Sequence, residues 1–131
     1  MKHFFYGGVH PADKKALSAG LALQKLEKPK QVIIPMSQHI GVSCKPLVSV
    51  GDVVKKGQKI GDGEGLCVPV HASVSGKVIA IEPRRHPKGD MVLSVVIEND
   101  FKNTLDTSMT AYEDYSALTE DQIIEIIREA G

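Results

Sequence analysis

The chain has 131 residues, with 16 Lys and Arg balanced by 16 Asp and Glu, so its formal net charge is zero. That length suits one domain with extensions, and the balance excludes a global basic field of the kind that draws nucleic acid or an anionic membrane. Two cysteines, Cys44 and Cys67, are too few for a disulfide framework or a four-thiolate cluster, and without tryptophan the core falls to Val, Ile, Leu and Ala.

The N-terminus, Met1-Lys2-His3-Phe4-Phe5-Tyr6-Gly7-Gly8, lacks the apolar stretch of a signal peptide. No segment approaches the roughly 20 apolar residues that span a bilayer. The expectation is a soluble intracellular chain whose membrane association comes through partners. Residues 1–30 read as an irregular arm, with a turn at Gly7-Gly8-Val9-His10-Pro11. Leu21, Leu23 and Leu26 are expected to pack on the outside of the fold, and Pro29 ends the segment.

Gln31-Val32-Ile33-Ile34-Pro35 is the first clear strand. From Val48 to Ile81, short β-branched runs alternate with glycines, the pattern of short strands joined by tight turns. Gly51-Asp52 and Lys56-Gly57 bracket Val53-Val54, and Ser75-Gly76 reads as a turn into Lys77-Val78. Residues 61–66 read as a hairpin tip. Pro83-Arg84-Arg85-His86-Pro87-Lys88-Gly89-Asp90 reads as a polar loop. Residues 91–98 form the longest strand, whose nearly continuous apolar run points to a central position or burial on both faces. Residues 101–117 are polar and aperiodic, a linker or a surface-wrapping strap. A helix then opens at Thr119, which has capping-box spacing to Gln122, with Glu120 and Asp121 at the positive end of its dipole. Ile123, Ile127 and Ala130 share one face of it, with Ile124 and Ile126 beside them.

No stretch meets the requirements of a catalytic or cofactor site. Gly61-Asp62-Gly63-Glu64-Gly65 lacks the following helix a phosphate loop needs, and its carboxylates repel phosphate. His39, Cys44, Cys67 and His71 are the residue types of a zinc site, but no C-x-x-C and no closely spaced histidine pair is present. They read as buried thiols and hydrogen-bonded imidazoles without metal. His71 and Ser73 find no orienting carboxylate for nucleophilic chemistry. The Arg84-Arg85-His86-Pro87-Lys88 run reads as solvated, with contact to an acidic partner or a phosphate as the alternative. The expected site list is therefore empty for catalysis, cofactor and metal.

The central stretch resembles the barrel-sandwich hybrid of lipoyl and biotinyl carrier domains. The residues that carry the likeness are Val50-Gly51-Asp52-x-Val54-x-x-Gly57-Gln58 and Ala72-x-Val74-Ser75-Gly76-Lys77-Val78. The resemblance implies a mostly-β fold. Carriers hold their cofactor on a lysine at the hairpin tip, and residues 61–66 contain none. Lys88 lies beyond the hairpin where carriers place theirs.

Most of residues 7–81 also resemble the N-terminal part of the C subunit of the Rnf ion-translocating electron-transport complex. The matching pieces are Gly7-Gly8-Val9-His10-Pro11, Ile34-Pro35-Met36-Ser37-Gln38-His39-Ile40-Gly41, Lys45-Pro46-Leu47-Val48, Gly51-Asp52-x-Val54-x-x-Gly57-Gln58-Lys59-Ile60-Gly61 and Val70-His71-Ala72-Ser73-Val74-Ser75-Gly76-Lys77-Val78. In that family a flavin- and NADH-binding domain with a glycine-rich loop follows, and then the cysteines of two [4Fe–4S] clusters. None of those motifs lies in residues 1–131, so the resemblance implies a truncated piece without catalytic residues of its own.

The implied organisation is an arm over 1–30, a barrel-sandwich hybrid over 31–100, and a linker and helix over 101–131 leading into the flavin/NADH domain. The implied role is docking and positioning. FMN and two [4Fe–4S] clusters are expected in the full-length family and no cofactor in this fragment. The expected partners are the flavin/NADH domain of the same full-length chain and other subunits of the complex, with no nucleic acid and no direct membrane insertion. The expected location is the cytoplasmic face of the membrane, held there through partner subunits. The alternatives are a biotin- or lipoate-carrier-like domain and a free-standing small-molecule-binding module.

Overall fold

The computed structural model describes residue 7, residues 11–108, residue 112 and residues 114–131. Seven strands and one α-helix are present among these: β1 Gln31–Pro35, β2 Lys45–Pro46, β3 Val53–Val54, β4 Lys59–Asp62, β5 Val70–His71, β6 Gly76–Arg85, β7 Met91–Asn99 and α1 Glu120–Ala130. They form two antiparallel sheets, one ordered β1-β7-β6-β3 and the other β2-β4-β5. The molecule is mostly β, with the helix at its C-terminal end.

The four-stranded sheet is built on β7, which pairs with β1 from Gln31↔Glu98 to Pro35↔Ser94 and with β6 along its whole length. That central position accounts for its apolar run. Val95 and Ile97 enter the core between the sheets, while Ser94 and Val96 on the other face are also buried. Core partners come from both sheets and the loops between their strands: Ile34, Met36, Cys44, Val54, Ile60, Cys67, Val70, Ala72 and Val78. All are small or aliphatic, which fits the narrow interior of a small closed β structure.

The turns around β3 follow their glycines. Gly51 and Gly57 take φ of 103° and 87°, which side chains with a Cβ rarely adopt. Asp52 closes the first turn by accepting the Ser49 amide at 2.8 Å, and the Gln58 side chain accepts the Lys55 amide at 2.9 Å in the second.

Four expectations need correction. Gly76 is not in a turn. It is the first residue of β6, paired with Val54 on one side and Asn99 on the other. Glycine is required there because a Cβ would lie 1.9 Å from the Glu98 carbonyl oxygen. The tip expected at residues 61–66 starts two residues too early, since the loop joining antiparallel β4 and β5 spans residues 63–69. Gly61 and Asp62 finish β4, with Gly61 paired to Val70, and the loop begins at Gly63. A Cβ on Gly61 would meet Met36 Sδ at 2.7 Å, so this glycine serves the close approach of a core side chain. In the basic run, Pro83, Arg84 and Arg85 continue β6 opposite Leu93, Val92 and Met91, leaving only residues 86–90 as the turn. Proline fits because β3 pairs only with Gly76 and Lys77, and among the described residues no strand pairs with the far part of β6 on that side. Finally, Leu21, Leu23 and Leu26 do not pack on the fold; they are exposed, as is Leu17.

Among the described residues, the arm is tied down at its end. Asn99 Nδ2 donates to the Pro29 carbonyl at 2.9 Å, the Asn99 amide donates to the Lys30 carbonyl, and Asn99 Oδ1 accepts the Phe101 amide. Upstream, a single 3-10 turn spans Lys15–Leu17 and buries nothing. Of the turn expected at residues 7–11, positions 8–10 lie outside the described residues. After β7 the chain turns back through Phe101 and Asn103, both at positive φ, and runs beside residue 56. There the Lys56 amide donates to Thr104 and the Asp106 amide donates to Lys56.

Candidate functional site

Two places concentrate polar chemistry. The first lies where two loops cross. The loop of residues 36–44 and the loop of residues 63–69 are joined by the Val42 amide donating to the Leu66 carbonyl at 2.9 Å. The Cys44 amide donates to Met36, which turns the Cys44 side chain inward. Cys44 and Cys67 are both buried and unbridged, and their Sγ atoms are 3.3 Å apart. Cys44 Sγ donates to the Val68 carbonyl at 3.1 Å. His39 completes the group: a ring nitrogen and both sulfurs lie within 4.8 Å of one another. His39 Nε2 accepts the Val68 amide at 3.3 Å.

Burial pushes the Cys44 thiol up to about 11, and the adjacent Cys67 thiol adds to the effect. Removing a proton would leave an anion in an apolar interior beside another sulfur. At neutral pH the Cys44 thiol is therefore protonated, a poor nucleophile that becomes anionic only beside a cation.

The second place is the contact between α1 and the Lys59 and Asp62 side chains of β4. Thr119 caps the helix as its spacing predicts: its Oγ1 accepts the Gln122 amide and its own amide donates to Gln122 Oε1. Arg128 Nη2 donates to Asp62 Oδ1 at 3.1 Å, Lys59 Nζ reaches Asp62 Oδ2 at 3.3 Å, and Lys59 also pairs with Glu129. Asp62 additionally accepts the Gly63 amide at 2.8 Å. That amide, followed by Lys59 and Arg128, holds the Asp62 carboxyl below the usual carboxylate range. Glu129, and Asp62 after it, hold the Lys59 ammonium above the usual lysine range against the opposing effect of burial. The helix thus meets the barrel through four charges, over an open cleft of about 750 Å³ lined in part by Lys59, His71, Asp106 and Ile126. Ile123, Ile124 and Ile127 remain exposed.

The remaining residues singled out from the sequence are dispersed. His71 lines the cleft beneath α1 and Ser73 is exposed. Arg84 pairs with Glu82 at 2.6 Å on the same strand. His86 and Lys88 belong to the turn between β6 and β7, where the Lys88 amide donates to His86 Nδ1. Asp62 and Glu64 do not form a phosphate loop; Asp62 faces the helix instead. The four-charge network was not visible in the sequence, since residues 59 and 62 are far along the chain from 128 and 129.

A domain of two antiparallel sheets closed on a shared aliphatic core, with the Gly51-Asp52 and Gly57-Gln58 turns in place, matches one known family over most of its length. The RnfC barrel-sandwich hybrid domain matches residues 3–102. The chain belongs to this family. Among curated proteins, it is 48% identical over 128 residues to the C subunit of the Na(+)-translocating ferredoxin:NAD(+) oxidoreductase complex of Acetobacterium woodii. It is 40% and 39% identical over 129 residues to the C subunits of the ion-translocating oxidoreductase complexes of Serratia proteamaculans and Klebsiella pneumoniae. In each case 97% of this chain is aligned, but it covers only 29%, 18% and 17% of those proteins. The RnfC match agrees with the Rnf resemblance read from residues 7–81. No helix among the described residues is long and apolar enough to cross a membrane.

Proposed function

We propose that this RnfC-type barrel is a non-catalytic docking and positioning domain of an ion-translocating ferredoxin:NAD oxidoreductase subunit. It holds a flavin- and NADH-binding part of a longer chain against other subunits at the cytoplasmic face of the membrane. The observation that carries this is α1. The helix is capped and ion-paired to the barrel, yet turns Ile123, Ile124 and Ile127 to solvent. An apolar face of that kind on a helix of 11 residues suits a second packing partner. Electron transfer needs cofactors at fixed separations, and a small β domain with an interlocked core supplies a rigid reference for them.

The cofactors expected of the full-length family do not fit the residues present. A [4Fe–4S] cluster takes four thiolates, and the chain has two cysteines. No glycine precedes α1 closely enough to make a phosphate-binding turn at its N-terminus: Ser116-Ala117-Leu118 leads into Thr119. Flavin and clusters are therefore assigned to other parts of the longer protein.

The test compares the 131-residue chain with a chain extended through the following domain. The extended chain is expected to bind FMN and NADH and to protect the amides of residues 119–130 from exchange. The 131-residue chain is expected to bind neither and to protect those amides less. Tight FMN or NADH binding by the short chain would overturn the reading. Equal protection in both chains would show that α1 belongs to the barrel alone.

A further inference from the structure

We propose that His39, Cys44 and Cys67 form a zinc site that pins the loop of residues 36–44 to the loop of residues 63–69. The three side chains are far apart in sequence and supply the ligand types zinc prefers, one imidazole and two thiols. Their ligand atoms already lie within 4.8 Å of one another, with the sulfurs 3.3 Å apart. Two thiolates on a tetrahedral zinc, each with a Zn–S bond of about 2.3 Å, stand roughly 3.8 Å apart. The sulfurs need to open by only about half an ångström to take the ion.

The surroundings are shaped around the three side chains. A Cβ on Gly63 would sit 3.0 Å from Cys67 Sγ, and one on Gly41 would sit 3.1 Å from His39 Nδ1 and 2.3 Å from the Leu66 carbonyl. A side chain at either position would crowd the ligands. The imidazole lone pair is only lightly engaged, by the Val68 amide at 3.3 Å, a long hydrogen bond that the metal replaces. His39 is half-buried where both cysteines are buried, so the imidazole is the most solvent-accessible of the three ligands, and water takes the fourth position.

Binding is not a redox step. Two S–H bonds break, both protons pass to buffer, and two Zn–S bonds and one Zn–N bond form. Zinc removes the obstacle to ionising Cys44, since the cation supplies the charge that the apolar interior lacks. A disulfide is the competing fate of two sulfurs this close. The third ligand decides between them, because a disulfide has no use for His39.

The test uses the 131-residue chain, reduced, stripped with a chelator and kept anaerobic. Zn²⁺ is titrated against a chromophoric chelator, and Co²⁺ serves as the spectroscopic probe. The expected result is one ion per chain, with a thiolate-to-Co²⁺ charge-transfer band and the visible bands of a tetrahedral ion. Cys67→Ser is expected to weaken Zn²⁺ binding by roughly 100-fold or more and to abolish the charge-transfer band. His39→Gln is expected to keep that band and weaken binding by roughly 10- to 100-fold. Circular dichroism of each metal-free variant shows whether it is folded, and the Co²⁺ band of the unsubstituted chain tests the site without any variant. Three results would overturn the proposal: no binding, stoichiometric binding without a thiolate band, or binding unchanged in Cys67→Ser. Formation of a Cys44–Cys67 disulfide in air, even with equimolar Zn²⁺ present, would also overturn it and assign the pair to redox chemistry.

Discussion

Gly76 shows how little room one position leaves. It sits between β3 and β7, and its missing side chain lets the Glu98 carbonyl approach. Any Cβ there meets backbone rather than the end of a flexible side chain, so the strands must part. Gly76→Val is expected to destabilise the fold by about 3 kcal/mol or more, since overpacking alone typically costs about 1–3 kcal/mol and here paired backbone must also move. Urea unfolding followed by circular dichroism measures it. A midpoint equal to that of the unsubstituted chain would mean that β6 and β7 are not this close. Ser75, beside it, shows the complementary case of a buried polar group fully engaged. Its hydroxyl donates to Asp100 at 2.7 Å and accepts the Thr104 amide at 3.0 Å, fixing the turn after β7.

At the scale of elements, α1 is held by charge more than by apolar burial, and its docking should follow pH. The Asp62 carboxyl is held low, so its contribution is present above the unfolded-chain value near 3.9 and lost as pH falls through the folded value. The Lys59 ammonium is held high, so its contribution is complete below about 10.4 and lost as pH rises through its folded value. Helix content is expected to be flat from about pH 5 to about pH 9 and to fall below about pH 4. Asp62→Asn is expected to lower helix content at neutral pH and to flatten the acid step. Far-UV circular dichroism against pH, with and without the substitution, checks this. High salt is expected to have a similar effect at neutral pH, because all these side chains are partly exposed. An acid step of the same size in Asp62→Asn would assign it to other carboxylates.

At the scale of the whole molecule, the fold's relation to lipoyl and biotinyl domains separates architecture from chemistry. The loop that follows β4 runs from Gly63 to Pro69 and contains Glu64, Cys67 and no lysine. Cys67 turns inward from it, and Leu66 is fastened to Val42. A loop bound to its neighbour in this way is unsuited to present a side chain to a modifying enzyme. Co-expression with biotin and lipoyl ligases is expected to leave the intact mass unchanged. A mass increase of either cofactor on any lysine, Lys88 at the β6–β7 turn included, would replace the docking role with a carrier role.

The sequence by itself determined the local features whose causes lie within a few residues. Alternating β-branched runs and glycines marked the strands, Gly51 and Gly57 marked positive-φ turns, and Thr119 with Gln122 marked the start of α1. The long apolar run of residues 91–98 marked the central strand, because only a strand buried on both faces can dispense with polar alternation. Only the tertiary structure decided what depends on distant segments meeting. Gly76 and Gly61 looked like turn residues because a glycine reads the same whether it relieves φ or admits a neighbour's atoms. The exposed arm leucines looked ready to pack on the outside of the fold because hydrophobicity does not say whether a surface awaits them. His39, Cys44 and Cys67 lacked close ligand spacing because two crossing loops, rather than one turn, bring them together. Lys59, Asp62, Arg128 and Glu129 became one network only when the helix met the side chains at the two ends of β4, since Coulomb attraction acts on separation in space and leaves no trace in sequence spacing.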